Sequence, residues 1–263
     1  MNTIKTDLLV IGAGSGGLSV AAGASQMGAD VVLLEGHKMG GDCLNFGCVP
    51  SKALIASGKA AYAQSHAAKY GIANTKPKID YAAAKDHVHD VISTIAPQDS
   101  VERFEGLGVK VIQEYGEFIS PTEVRAGDTT ITARRVVIST GSSPFVPPIP
   151  GLDGVPYETN ETIFDLRERP KHLLIDRLSL DTAGSKTTKT GIKVDASLKT
   201  TNSKVYAIGD VAGGLQFTHV AGYHAGIIIR SALFGLPAKA SYDHIPWATY
   251  TAPELAQLGL AAA

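Results

Sequence analysis

The chain has 263 residues and two cysteines, Cys43 and Cys48, both within the stretch Gly-Gly-Asp-Cys-Leu-Asn-Phe-Gly-Cys-Val-Pro-Ser-Lys at residues 40–52. Two thiols that can meet can close a disulfide, and a disulfide accepts two electrons. On one ideal helix this pair would lie about 7.5 Å apart along the axis and on different sides, which is outside disulfide range. The backbone must therefore turn between them, and Gly47 supplies the freedom. Pro50 suits the first turn of a helix, expected here over residues 49–63. Cys48 at the start of that helix would feel its dipole. Lys52, one turn on and on the same face, adds a positive charge, and both favour a thiolate. The competing readings are inert packing for the cysteines and a solvated surface position for Lys52.

A disulfide that does chemistry needs an electron donor held nearby, and the N-terminal third supplies a candidate holder. Residues 6–11 form a continuous apolar strand of the kind buried on both faces of a parallel sheet. Gly12, Gly14 and Gly17 follow, then an Ala-rich helix to about Met27, a second strand at 31–34, and Glu35. In such a unit Gly12 permits the tight turn, and Gly14 lets the backbone approach a pyrophosphate. Gly17 lets helix and strand pack closely, and Glu35 can accept from a ribose 2′-hydroxyl. An acid there argues against a 2′-phosphate on that ribose. FAD and NAD both fit.

Further along, a helix is expected over 79–96, stopped near Pro97 and continuing over 100–107. His87 and His89 are two apart, so they diverge on a helix and suggest no metal site. The pattern then changes to an antiparallel meander (113–119, 122–126, 129–132) and a buried strand at 135–139. That strand ends in Thr140-Gly141, a turn over which a flat ligand could lie. A strand at 171–175, polar connectors over 186–202 with a short strand at 192–194, and a strand at 205–208 ending in Asp210 come next. An acid at the C-terminal end of a parallel strand is a ligand-contact position. A helix over 217–234 and a strand-like piece at 248–251 complete the order.

The bulk composition fits an ordinary globular protein. Charged residues make up 19% and apolar residues 44%, with a net charge of −1, so nothing calls for nucleic acid or an anionic membrane as partner. No apolar run reaches membrane-spanning length. The start of the chain lacks the layout of a signal peptide. Two cysteines are too few for a secreted disulfide framework, and a cytoplasmic location is expected.

Together the cysteine stretch, Thr140-Gly141 with the following Ser-Ser-Pro, and Ala207-Ile-Gly-Asp210 resemble the pyridine nucleotide–disulfide oxidoreductases. These are the flavoproteins that include dihydrolipoamide dehydrogenase and mercuric reductase. The resemblance implies an α/β, Rossmann-like FAD/NAD(P)-binding fold of three layers, with a central parallel sheet, helices on one side and an antiparallel β-meander. It implies FAD as cofactor, with Gly12, Gly14, Gly17 and Glu35 at its ADP half and Asp210 at the ribityl chain. Thr140 and Gly141 would line the site, and the helix near His219 would point at the pyrimidine ring. Cys48 would be the flavin-side thiol, Cys43 the one that exchanges with substrate, and Lys52 would sit near the reacting flavin nitrogen. The implied substrate is a small-molecule disulfide or dithiol, or a soft metal ion, in a homodimer serving cell redox homeostasis.

Two departures stand against that pattern. No second Gly-rich fingerprint follows residues 169–175, where the family inserts a nicotinamide-binding domain. The family's dimerisation domain, with its acid–base His–Glu pair, is represented only by residues 241–263. The expectation is therefore that 1–175 and 176–240 form one FAD-binding domain. The expected piece was made to isolate that domain, is monomeric, and has little NAD(P)H-dependent turnover. The alternatives are an NAD-binding Rossmann protein with structural cysteines and a flavin-free fragment.

Overall fold

Successive side chains of a strand point to opposite faces, so Leu8-Leu9-Val10 requires cover on both sides. The structure is a computed structural model that describes residues 2–146, 152–154, 156–169, 187–188, 191–200, 205–213, 217–243, 245–249 and 255–258. It divides into two compact units. The first is Met1–Met39, Val101–Ser142 and Asp181–Ala263, and the second is Gly40–Ser100 and Ser143–Leu180.

In the first unit β1 (Asn2–Ile11) pairs in parallel with β2 (Val31–Leu34) on one side and with β6 (Thr129–Ile138) on the other. Two short parallel strands extend this centre. β3 (Lys110–Ile112) lies beside β2, and β9 (Val205–Ala207) lies beside the second half of β6. The first half of β6 pairs instead with β5 (Glu123–Ala126), which pairs with β4 (Gly116–Ser120), both antiparallel. The sheet thus forks along β6. On one face Leu8, Val10, Val31, Leu33 and Val137 pack with α1 (Ser15–Gln26), α6 (Thr218–Ile228) and Phe104 of α5 (Val101–Gly106). On the other, Leu9, Val32, Leu34 and Val136 pack with Val124, Ala126 and Ile131 of the meander. Helices, parallel sheet and meander make the three expected layers.

The differences from expectation are local. The end of the meander and the buried strand are a single ten-residue strand, β6. The Arg134-Arg135 pair looks like an interruption, but Arg134 is exposed and its Nη1 donates to Asp7 Oδ1 at 2.7 Å, so the strand runs through. That guanidinium, and a backbone hydrogen bond from Asp30, hold the Asp7 carboxyl below the usual carboxylate range. β3 lies ahead of the expected meander, where no strand is expected, and only three of its residues pair with β2. The helix containing His219 continues through a π-helical turn at Ile229–Leu233.

The second unit is helical. α2 (Gly41–Asn45) and α3 (Cys48–Ser65) follow one another, and α3 packs on α4 (Tyr81–Ile95) around Ala53, Val88 and Phe164. Asp80 caps α4 by accepting from Ala83 N at 3.0 Å, and Pro97 opens a 3-10 turn at Ala96–Asp99 that ends it. Back in the first unit, β7 (Thr187–Thr188) pairs with β8 (Gly191–Ile192) and β10 (Pro246–Thr249) with β11 (Leu255–Leu258), each pair antiparallel. The strand expected at 171–175 lies outside the described residues. Among the described residues no helix is long and apolar enough to cross a membrane.

Candidate functional site

The cradle in the first unit is set by how tightly the chain turns after β1. Gly12 has φ +102°, and a Cβ there would sit 2.5 Å from Ser139 O. A Cβ on Gly17 would sit 1.8 Å from Gly12 O and 2.6 Å from Ser139 Oγ, so the first turn of α1 lies directly on the loop. Gly14 is the N-cap of α1, contributes no side-chain cap, and is followed by a first turn without acidic residues. The N–H groups of that turn and the positive end of the helix dipole therefore meet no side-chain anion of the cap, an arrangement suited to a phosphate. Glu35, just past β2, is half-buried. Its Oε2 accepts from Ala13 N at 2.7 Å and its Oε1 from His37 N at 2.8 Å. A carboxylate oxygen has two lone pairs, so both retain capacity for a ribose hydroxyl.

Ser139 was not singled out from the sequence, yet it secures this turn. It is 8% exposed, and its Oγ lies 2.9 Å from both Ile11 O and Gly12 O, ending β6 against the end of β1. Its signal was a small hydroxyl residue at a strand end, ahead of Thr140-Gly141. Thr140 is exposed and Gly141 has φ +68°. The ends of β1, β6 and β9 are in register, with Ile11 opposite Ile138 and Ile138 opposite Ala207. Asp210 lies just beyond, half-buried in a 3-10 turn at Gly209–Ala212. His219 is the second residue of α6, exposed and stacked on Phe217 with ring centroids 5.4 Å apart. Gly12, Gly14, Glu35, Thr140, Gly141 and Asp210 thus gather at the C-terminal ends of the parallel strands, the ligand-binding edge of open α/β sheets.

In the second unit the two cysteines fall in different helices. Cys43 is inside α2 and Cys48 is the first residue of α3, and both are half-buried. The break between the helices is sharp. Gly47, the N-cap of α3, lies so close to the preceding turn that a Cβ would meet Asp42 Oδ2 at 2.6 Å and Cys43 Cα at 3.3 Å. The turn expected between the cysteines is therefore a fold-back onto Cys43, with Gly47 required by contact. Lys52 is exposed on α3, one turn after Cys48. α3 has neither a side-chain cap nor an acid in its first turn, so its dipole favours a thiolate at Cys48.

The strap formed by residues 156–169 backs this loop, a role that was not legible in the sequence. Asn160 Nδ2 donates to Asp42 Oδ1 at 2.8 Å, beside Cys43. The strap is tied to α4 by Lys85, which is fully buried and donates from Nζ to Ile163 O at 2.7 Å. It is tied again by a bidentate Arg167–Asp86 pair, which holds the Asp86 carboxyl below its ordinary range. Replacing Lys85→Met leaves the Ile163 carbonyl without that donor and should cost about 1–3 kcal/mol. Urea unfolding measures this, and iodoacetamide should label Cys43 faster as Asn160 loosens. An unchanged urea midpoint and labelling rate would show that the strap does not brace the loop. Among the described residues no cluster of His, Cys, Asp and Glu could hold a metal ion.

Comparison with known proteins bears on the family and the fold. The family model described as pyridine nucleotide-disulphide oxidoreductase matches residues 6–175 and 169–225. The chain belongs to this family. Among its members, mercuric reductase of Bacillus cereus is 26% identical over 352 residues, covering 97% of this chain and 56% of that protein. Dihydrolipoyl dehydrogenase 2, chloroplastic, of Arabidopsis thaliana is 34% identical over 172 residues, covering 64% of this chain and 30% of that protein. The chain spans between about half and two thirds of the length of the mercuric reductases it matches. The solved structure of the Cu(II) complex of the HOCl-induced flavoprotein disulfide reductase RclA from Escherichia coli shares its fold. The TM-score is 0.80 at 18% identity, over 97% of this chain and 77% of that one. The Rossmann-like flavoprotein fold and membership of a flavin-dependent oxidoreductase family follow.

Proposed function

We propose that this chain is the FAD-binding part of a disulfide oxidoreductase, in which electrons carried by the flavin reach the Cys43–Cys48 pair and pass to a small-molecule disulfide or a soft metal ion. The observation that carries this is the glycine cradle. A turn with no room for a Cβ at Gly12 or Gly17, under a helix start with no side-chain cap, fits a dinucleotide pyrophosphate. Membership of a flavin-dependent family supports FAD rather than NAD as its occupant. FAD, when bound, supplies two-electron redox chemistry. Gly12, Gly14 and Gly17 would hold the pyrophosphate, Glu35 the ribose, and Asp210 a hydroxyl-bearing linker. Thr140, Gly141 and the start of α6 near His219 would border the ring system, with Lys52 close to its reacting edge.

The thiol chemistry balances within the chain. The Cys43 thiolate attacks one sulfur of the substrate disulfide and forms a mixed disulfide, and the departing thiolate takes up a proton. The Cys48 thiolate then attacks the Cys43 sulfur and releases the second substrate thiolate. The Cys43–Cys48 disulfide closes, so the pair loses the two electrons the substrate gains.

We further propose that a nicotinamide-binding domain of the family is absent between residues 175 and 176. The family model matches in two pieces that meet there, and a 352-residue alignment to a 263-residue chain leaves about a hundred positions of the relative unmatched, roughly a domain. Turnover with NADH should accordingly be small. The protein should be yellow when purified with FAD, bleached by dithionite and unaffected by NADH. Rapid bleaching by NADH would overturn the missing-domain reading. A protein that refuses FAD but binds NAD would overturn the flavin reading.

A further inference from the structure

His224, on α6 among apolar residues, was not singled out from the sequence. It is 1% exposed, and both ring nitrogens are engaged. Nδ1 accepts from Gly209 N at 3.2 Å, and Nε2 lies 2.9 Å from Tyr242 Oη, with the two rings edge to face. A backbone N–H can only donate, so Nδ1 carries no proton. The neutral ring therefore holds its proton on Nε2, and Nε2 donates to Tyr242. Burial favours this neutral state, pushing the pKa of His224 down. Gly209 is the residue through which the chain leaves β9 for the Asp210 turn. It is left-handed at φ +66°, and a Cβ there would meet Ala221 of α6 at 3.3 Å.

We infer that His224 is a positioning residue for the dinucleotide site: its bare Nδ1 grips the Gly209 N–H and so fixes Asp210 at the strand ends, while Tyr242 accepts from Nε2. The inference rests on the proposal that Asp210 contacts the cofactor. A proton on Nδ1 would set one N–H against another and release the turn. Ring neighbours of His224 are Tyr223 and Tyr242; burial keeps the Tyr242 hydroxyl protonated, and α1, which packs on α6, has no ionisable side chain. Because the folded pKa of His224 is depressed, its grip is complete above the ordinary histidine value of about 6.5. It is lost as the pH falls through the depressed folded value, which lies below 6.5.

The test compares the 263-residue chain and its variants by FAD equilibrium dialysis, by amide hydrogen exchange at Gly209 and by 15N spectra of the imidazole. His224→Leu keeps the apolar volume without the acceptor, and should weaken FAD about tenfold or more and speed exchange at Gly209. His224→Asn restores an acceptor near Nδ1 and should stay within about threefold of wild type, with the acid-side loss of affinity removed. Tyr242→Phe removes only the partner of Nε2 and should leave both the Nε2–H tautomer and FAD binding at neutral pH in place, because the Gly209 N–H still requires a bare Nδ1. A wild-type spectrum with the proton on Nδ1, or unchanged Gly209 exchange and FAD affinity in His224→Leu, would overturn the inference. The tautomer and exchange need no FAD, so a wild-type chain that fails to bind FAD counts against the proposed function alone. If His224→Leu does not fold, the wild-type tautomer and the His224→Asn pH profile decide.

Discussion

Gly17→Ala should abolish dinucleotide binding and destabilise the fold by about 3 kcal/mol or more. The added methyl would lie 1.8 Å from Gly12 O and 2.6 Å from Ser139 Oγ. The first obstacle is backbone, so no rotamer change relieves it. Either α1 lifts away from the loop or the Gly12 turn opens, and each move takes the helix start away from the phosphate position. The matched controls are Gly222→Ala and Gly226→Ala in α6, where a new Cβ meets nothing within 4 Å. There the same substitution should be neutral or stabilise by about 0.4–1 kcal/mol, through a less flexible unfolded chain and better helix propensity. Urea unfolding and FAD equilibrium dialysis on the three variants separate the effect of position from that of chemistry. If Gly17→Ala behaves like the α6 pair, the first turn of α1 does not press on the Gly12 loop.

This cradle was legible because its pattern is local. A strand apolar on both faces, glycines at fixed offsets, a helix and a terminal acid occur within residues 6–35. Only the backing by Ser139 comes from elsewhere in the chain. The cysteine loop was legible for the same reason, since five residues cannot bring two sulfurs together without a break and only Gly47 could provide it. What adds to this is the contact that makes Gly47 obligatory, and the fact that Cys43 lies in a short helix of its own.

The residues that escaped notice act across the chain. Ser139 reaches a turn 127 residues away, and Lys85 and Ile163 are 78 apart. Lys85 is also of a type that sequence patterns assign to solvent, because a buried ammonium is tolerated only where a partner is fixed for it. His224 lies only 15 residues from Gly209. Nothing in an apolar helix, however, says that a strand end will present a bare N–H to it. The single strand β6 was hidden by its two arginines, whose charges are accommodated at the surface where the sheet forks. Local pattern therefore located the residues proposed to bind the ligand, and tertiary contact supplied what holds them.

Cys48→Ser should halve the electrons the FAD-loaded protein accepts. With both cysteines, a dithionite titration should consume about two two-electron equivalents per chain, one for FAD and one for the disulfide. A serine hydroxyl cannot close a disulfide, so the variant should stop near one. Serine is close to cysteine in shape, and Cys48 is half-buried at the head of α3, where a hydroxyl is well tolerated. The fold and FAD binding should therefore survive, which separates this loss from unfolding. Cys43→Ser should give the same count, because either half of the pair is useless alone. The two variants differ in which thiol remains. A long-wavelength absorption band from a thiolate beside the flavin should persist with Cys48 present and disappear without it. Should Cys48→Ser keep that band while Cys43→Ser loses it, the roles of the cysteines are reversed. Should the wild type take up only one equivalent, as both variants do, the pair is structural and the flavin works without it.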